Sequence, residues 1–332
     1  MHSSKELTVS VIIPVHNGGT KFRMSLLSVA ACTPSPEEII VVADGDTDGS
    51  WRTAEELGMH VLRIPISGGP ARARNLGADE AKGDILFFID ADVTIPQDAI
   101  RQVLGAFQHD PDLAAVFGSY DNAPFETNFL SQYKNLFHHY VHQRAKEEAS
   151  TFWAACGAIR RKVFSEMGGF DKGYRRPSIE DIELGYRLRR SGYRIRVLRG
   201  LQVKHLKRWG IFSLLRADFF YRALPWTDLI LREGEFIDDL NVTISNRVSV
   251  ILTYIFCLAL LGLWWAPWLF PVSVIAMILL LVMNRDLYCF FKDKHGLGFA
   301  LKTIPWHWLY FFYSGLAFAI GSLKFQFERL RS

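Results

Sequence analysis

The run Gly83-Asp84-Ile85-Leu86-Phe87-Phe88-Ile89-Asp90-Ala91-Asp92 decides how the chain folds. Its unbroken apolar centre, Ile85 to Ile89, predicts a strand buried on both faces, as in a parallel sheet covered by helices. The strand runs into two carboxylates, Asp90 and Asp92, at i, i+2 spacing. On an extended chain that spacing turns both side chains the same way. Ligands of open parallel sheets bind just beyond the carboxyl ends of the strands. Two hard anionic oxygens at that place suit Mg²⁺ or Mn²⁺ carrying a diphosphate. Taken alone, Asp-x-Asp also ends strands in ordinary turns, so the surrounding chain has to decide.

Working outward, strands alternate with helices. Leu7 to Val15 is a β-branched run containing Pro14, and it ends in the loop His16-Asn17-Gly18-Gly19. A helix is expected from about Lys21 to Ala31. Glu38 to Ala43 reads as a second strand, ending at Asp44-Gly45-Asp46-Thr47-Asp48-Gly49-Ser50. Trp51 to Leu57 reads as a helix and Met59 to Ile64 as a third strand. Ser67-Gly68-Gly69-Pro70 opens a helix to about Lys82, with Pro70 at a position where a missing N–H costs nothing. After the central strand, Pro96 to Gln108 reads as helix and Leu113 to Phe117 as strand. This order predicts an α/β fold, doubly wound around a mostly parallel sheet. Asn17, Asp44 and the Asp90/Asp92 pair then gather at one edge of it.

Asn128 to Ala149 has helical spacing, with Phe129, Tyr133, Leu136, Phe137, Tyr140 and Val141 on one stripe. His138, His139 and His142 on it lack a Cys or carboxylate at metal-ligand spacing and are expected on the helix surface. Phe152 to Ile159 is strand-like, and Lys162 to Met167 is helical. Ser178-Ile179-Glu180-Asp181 opens a helix to about Ser191. Its acids read either as a helix cap, Ser-x-x-Asp, or as functional carboxylates. Tyr193 to Leu198 is a further strand, followed by His205-Leu206-Lys207-Arg208-Trp209.

The remainder differs in composition. The 332 residues leave room for about two domains. Hydrophobic residues make up 49%, and the excess lies after about residue 247. Trp209 to Leu231 mixes aromatics with Arg216 and Arg222 and reads as helices along a membrane surface. Val248 to Trp265 is free of charge and long enough to span lipid, and Trp268 to Met283 forms a second apolar run after Pro267. Trp306 to Leu323 is a third, either a span or an interfacial helix. Three parts are therefore expected: a catalytic domain over 1–208, interfacial helices over 209–246, and a small all-α membrane region over 247–332 with two to three transmembrane helices.

The net charge of +4 is small, but basic residues crowd between Arg160 and Arg222. Beside apolar segments that favours anionic headgroups over nucleic acid, and no nucleic-acid-binding signature occurs. Four scattered cysteines, without Cys-x-x-Cys spacing, fit a reducing compartment. The first apolar run is too short and too β-like for a signal peptide. The expected location is a multi-pass protein of the cell (inner) membrane, with its front portion in the cytoplasm.

These motifs, in this order, resemble the family 2 glycosyltransferases, which have the GT-A fold. The resemblance covers about Thr8 to Trp209. It rests on Val9 to Asn17, on Val41 to Ser50, on Gly69-Pro70-Ala71-Arg72-Ala73-Arg74-Asn75-Leu76-Gly77, on Asp90-Ala91-Asp92, and on Gly168-Gly169-Phe170-Asp171 followed by Glu180-Asp181. It implies a nucleotide-sugar-binding domain. Pro14, Asn17 and Asp44 would line the nucleobase side, and Arg74, Asp90, Ala91, Glu180 and Arg208 would belong to the nucleotide-sugar site. Asp92 and His205 would hold Mg²⁺ or Mn²⁺, and Asp181 would be the general base. Ala43 stands where many members carry an acid. His205 to Trp209 keeps the Arg-Trp of the processive synthases' Gln-x-x-Arg-Trp, with histidine for glutamine.

The implied activity is an inverting, metal-dependent hexosyl transfer at the cytoplasmic face. The donor is a nucleotide sugar, with uridine diphosphate preferred over guanosine or thymidine carriers. The acceptor is a lipid or lipid-linked saccharide, as in cell-envelope polysaccharide or glycolipid synthesis. Too few membrane segments exist to enclose a polymer channel, so one sugar is added per binding event. Transfer to a polyprenyl phosphate and a non-catalytic nucleotide-sugar-binding scaffold are the alternatives.

Overall fold

The computed structural model describes residues 6–234 and 243–331. The polar start at residues 1–5 and positions 235–242 of the expected interfacial stretch lie outside the described residues. The chain divides into two compact units between Trp209 and Gly210.

In the first unit β1 (Val9–Val15), α1 (Gly19–Ala30), β2 (Glu38–Asp44), α2 (Ser50–Glu56), β3 (His60–Ile64), α3 (Pro70–Glu80) and β4 (Ile85–Ile89) alternate as the sequence predicts. They lie in the order β3-β2-β1-β4, all parallel. Every residue of β4 is buried, as expected for a strand covered on both faces. One face packs on Phe22, Leu26 and Val29 of α1. On the other, α3 comes close because Gly77 stands where a side chain would meet Ile12 and Val42. The order reverses between β1 and β4, the switch point at which such sheets take ligands. The β1–β4 ladder ends at Ile12, and Pro14 offers no N–H to extend it.

Beyond β4 the sheet is mixed. β5 (Val93–Thr94), α4 (Ala99–His109), β6 (Leu113–Tyr120), α5 (Phe129–Arg144), β7 (Glu148–Ala149), β8 (Cys156–Arg160), α6 (Arg161–Glu166), α7 (Glu180–Arg190) and β9 (Arg194–His205) complete the unit. The order continues β4-β8-β6-β9-β5. β8 is antiparallel to both β4 and β6. The reason is local. The chain re-enters the sheet from the ligand edge, where the Asp90 N–H bonds the Ala155 carbonyl at 3.3 Å, so β8 must run downward. β9 extends past the expected end at Leu198, because a shift in register against β6 between Phe117 and Ser119 absorbs three extra residues of β9.

α5 lies on β6, and its histidines are not a surface row. His139 and His142 are buried. Their Nδ1–H groups donate to the carbonyls of Tyr120, at 2.7 Å, and Gly118, at 3.2 Å.

The second unit is helical. It comprises α8 (Ile211–Arg216), a π-helical stretch (Ala217–Ala223), α9 (Leu224–Glu233), α10 (Ile244–Gly262), α11 (Phe270–Met283), α12 (Arg285–His295) and α13 (Leu297–Arg331). Among the described residues one helix, α10, is long and apolar enough to cross a membrane, or two if the pair formed by 267–283 and α12, bent by 63°, counts as one span. Two, the lower end of the expected two to three spans, is reached only if that pair counts as one span. α11 has only 14 residues, about 21 Å of helix against a hydrocarbon core of about 30 Å. The third apolar stretch is part of α13 and carries His307, Tyr310 and Tyr313. Tyr313 donates to the buried Asp218 at 2.7 Å.

α7, which carries Glu180 and Asp181, is set against the sheet by Gly185. A Cβ there would run into the backbone of Thr151 and Phe152. Gly185→Ala is expected to cost about 1–3 kcal/mol through overpacking, seen as a fall in the melting temperature of the full-length protein in detergent. Gly105→Ala, whose Cβ meets nothing, is the control and leaves the temperature unchanged or raises it. Equal temperatures for Gly185→Ala and wild type would contradict this packing.

Candidate active site at the strand ends

Asp90 and Asp92 do not point to one partner. The chain turns directly after β4, with Val93 N–H on the Asp90 carbonyl at 3.1 Å, so the i, i+2 rule for an extended chain does not apply. Asp90 faces Arg74. The Arg74 Nη2 donates to Asp90 Oδ1 at 2.6 Å and its Nη1 donates to Glu180 Oε1 at 2.8 Å. Arg74 and Glu180 are buried. Burial works against the guanidinium charge, but Asp90, Glu180 and Asp181 outweigh it and push its pKa upward. Its Nε is buried and has no hydrogen-bond partner among the described residues. One cation thus ties the start of α3, the end of β4 and the start of α7 together.

Asp92 faces His205. The β5–β9 ladder pairs Val93 with His205 and brings Asp92 Oδ2 to 3.5 Å from His205 Nε2. His205 is itself held on two sides. Its Nδ1 lies 2.9 Å from Asn135 Oδ1, and Tyr120 stacks on its ring at 4.5 Å and 6°. The hydrogen bond to Asn135 puts a ring proton on Nδ1, so in the neutral ring Nε2 carries the lone pair. A carboxylate oxygen and an imidazole nitrogen then face each other at 3.5 Å, a pair that a proton or a metal ion between them would join. The donor set, one oxygen and one imidazole nitrogen, fits a divalent ion such as Mn²⁺ that takes its other ligands from a bound diphosphate. Burial alone raises the Asp92 carboxyl. The facing His205 and Lys207 outweigh burial and lower it to about 2.

Asp181 lies next to Glu180 in the first turn of α7. Its Oδ2 accepts from Ala154 N at 3.1 Å and its Oδ1 from Ile182 N at 2.8 Å. Burial and the charge of Glu180 outweigh these hydrogen bonds and the pull of Arg74, and lift the carboxyl to about 6. Ser178 is not the helix cap that its spacing suggests. Ile179 holds that position without a side-chain cap, and Ser178 N donates to Glu180 Oε2 at 2.9 Å.

Asp44 is buried at the end of β2. It accepts from Ser67 Oγ, Gly68 N and Gly69 N, each at 2.8 Å, so these amides before α3 hold Asp44 instead of facing open space. Asn17 has a positive φ of 53° and its Oδ1 accepts from Thr47 N and Asp48 N at 2.8 and 3.2 Å, fixing the turn after β2. Pro14 is half-buried near the end of β1, and Ala91 packs on the core between the two acids. Arg208 stands apart. Its side chain is 72% exposed and 4.0 Å from Glu126.

The sheet order, the acid pairs at its edge and the Arg74 tie invite comparison with known proteins. The family model "Glycosyl transferase family 2" matches residues 10–168. Residues 10–168 of this chain belong to glycosyl transferase family 2. The pre-mycofactocin glycosyltransferase of Mycobacterium tuberculosis is 29% identical over 224 residues, which cover 64% of this chain and 46% of that protein. The probable glycosyltransferase YdaM of Bacillus subtilis is 28% identical over 219 residues, 58% of this chain and 49% of that one. The chain spans about half the length of these curated relatives. Among solved structures, the mannosyltransferase PcManGT from Pyrobaculum calidifontis, in complex with GDP-Man and Mn²⁺, superposes with a TM-score of 0.61 at 18% identity, over 95% of this chain and 88% of that one. At that identity the likeness speaks for the GT-A-like α/β fold.

The sequence did not point to Asn135, Tyr120 or Ala154. Asn135 carried a weak signal, a polar residue on the buried stripe of a helix. Asn135→Leu is expected to free the His205 ring and weaken Mn²⁺ binding about 10–100-fold, measured by titration calorimetry of the full chain with a nucleoside diphosphate present. An unchanged affinity would remove Asn135 from the site.

Proposed function

We propose that this chain is a membrane-anchored, inverting glycosyltransferase. It moves a sugar from a nucleotide sugar, with uridine diphosphate the preferred carrier, to a hydroxyl of a lipid or lipid-linked saccharide at the cytoplasmic face. One sugar is transferred per binding event. The observation that carries this is the Arg74 bridge, which joins the acid that follows β4 to the acid pair opening α7. Membership of the family supports the reaction class, and the apolar helix α10 supports the anchor.

Asp181 is the group suited to take the acceptor's proton. A carboxyl held near 6 is ionised at neutral pH, yet more basic than an ordinary carboxylate. As the proton leaves, the acceptor oxygen bonds the anomeric carbon, and the bond from that carbon to the diphosphate oxygen breaks on the opposite face. The nucleoside diphosphate departs, and the centre inverts. Glu180 does not compete for the proton, since Arg74 and Ser178 N hold its two oxygens. Asp92 and His205 would hold the divalent ion, which when bound neutralises charge on the leaving diphosphate. Asp44 and Asn17 shape the loops on the nucleobase side.

Two outcomes follow for Asp181. Asp181→Asn is expected to lower transfer about 10²–10⁴-fold while nucleoside diphosphate affinity stays within twofold, roughly the scatter of a calorimetric comparison. Joint loss of transfer and binding would assign Asp181 to structure, and undiminished transfer would favour a phosphate acceptor, which needs no base. In wild type, kcat/KM should be flat above about pH 7 and fall to half its maximum as pH drops to about 6, because the base is then being protonated. A profile with no break between pH 5 and 7 would contradict the assignment.

A further inference from the structure

Between the Asp92/His205 pair and Asp181 lies a segment for which the proposed reaction has so far had no use, Phe152 to Ala155. Its backbone touches both sides of the site. Ala155 accepts from Asp90 N at 3.3 Å, and Ala154 N donates to Asp181 at 3.1 Å. Trp153 comes immediately before. Its ring meets the edge of Tyr120 at 4.8 Å and 87°, and Tyr120 is the residue stacked on His205 at 4.5 Å. His138 and His142 flank the indole at 4.9 and 5.1 Å. The residues run in an unbroken chain of contacts from the cation pair, through Tyr120 and Trp153, to the Asp181 carboxylate.

Trp153 is only half-buried, although its neighbours Phe152 and Ala154 are fully enclosed. Its indole N–H bonds no group among the described residues and is left open to solvent. A tryptophan retained purely for packing hides its ring and satisfies its N–H. This one is braced by three rings and keeps part of its surface and its donor available. Braced aromatic surfaces of this kind suit a pyranose, which offers an apolar C–H face for the ring and hydroxyls for the N–H.

On the reading given under Proposed function, we infer that Trp153 is the platform on which the hexose of the donor rests while it passes from diphosphate to acceptor. A sugar that is bonded to a diphosphate at Asp92/His205, and is to be attacked by an oxygen at Asp181, must lie between them. Trp153 is an aromatic residue linked to both, to His205 through Tyr120 and to Asp181 through the next residue, Ala154.

The test compares nucleotide sugars with their own nucleoside diphosphates. UDP-glucose, UDP-N-acetylglucosamine, GDP-mannose, UDP and GDP are titrated with Mn²⁺ into the full-length wild type, Trp153→Phe and Trp153→Ala. For the sugar nucleotide that wild type prefers, the ratio of its Kd to that of its nucleoside diphosphate should rise about fivefold to tenfold in Trp153→Ala. The ratio should return most of the way in Trp153→Phe, which keeps a ring. The affinity for the nucleoside diphosphate alone should not move in either variant. An unchanged ratio in Trp153→Ala overturns the platform and leaves the proposed function standing. So does a loss of nucleoside diphosphate affinity that matches the loss for the sugar nucleotide, since the residue would then act by packing. Wild type that binds no nucleoside diphosphate at all overturns the parent reading, and the platform with it.

Discussion

A single guanidinium holds the active edge of this protein together. Arg74 is buried, and its two terminal nitrogens reach Asp90 and Glu180. Removing one partner of a buried ion pair leaves an uncompensated charge and costs about 3–5 kcal/mol. Strand β4 and helices α3 and α7 are therefore constrained to one mutual arrangement. Asp181 inherits its position from Glu180 beside it, and Asp92 from the turn that Asp90 begins. Acids outnumber the cation they share, so the edge as a whole favours an added positive ion.

The same constraint explains why two neighbouring carboxyls behave differently. Glu180 has both oxygens occupied, one by Arg74 and one by a backbone amide. Asp181 accepts only from amides, and burial together with the charge of Glu180 outweighs them and raises its proton affinity. A pair of acids that reads as one motif divides into one member tied to the arginine and one held by backbone amides alone. What divides them is which one the arginine reaches.

Much of the first unit was legible because its signals are local. The apolar run Ile85 to Ile89 did become a fully buried central strand, and Pro70 does open a helix. What escaped depends on partners distant in sequence. The resemblance names Asp92 and His205 together, but the local pattern does not: they meet because the two-residue strand β5 pairs with the last residues of β9, and so short a strand carries no periodic signal. The reversed direction of β8 depends on where the chain re-enters the sheet, which its composition does not encode. His139 and His142 of α5 looked solvent-facing by type, but backbone carbonyls of β6 satisfy them in the interior. In the second unit hydropathy located the apolar stretches. Their number as spans depended on helix lengths and on the bend after Met283, which hydropathy does not report.

The central claim is that the rim beyond β4 binds a cation through Asp92 and His205, and a nucleotide through that cation. The most direct measurement is an anomalous difference map from a crystal of the full chain grown with Mn²⁺ and UDP. The account predicts one strong peak bonded to Asp92 Oδ2 and His205 Nε2, with diphosphate oxygens completing its coordination and the uracil toward Asp44. A manganese peak elsewhere, with UDP bound away from this edge, would contradict it.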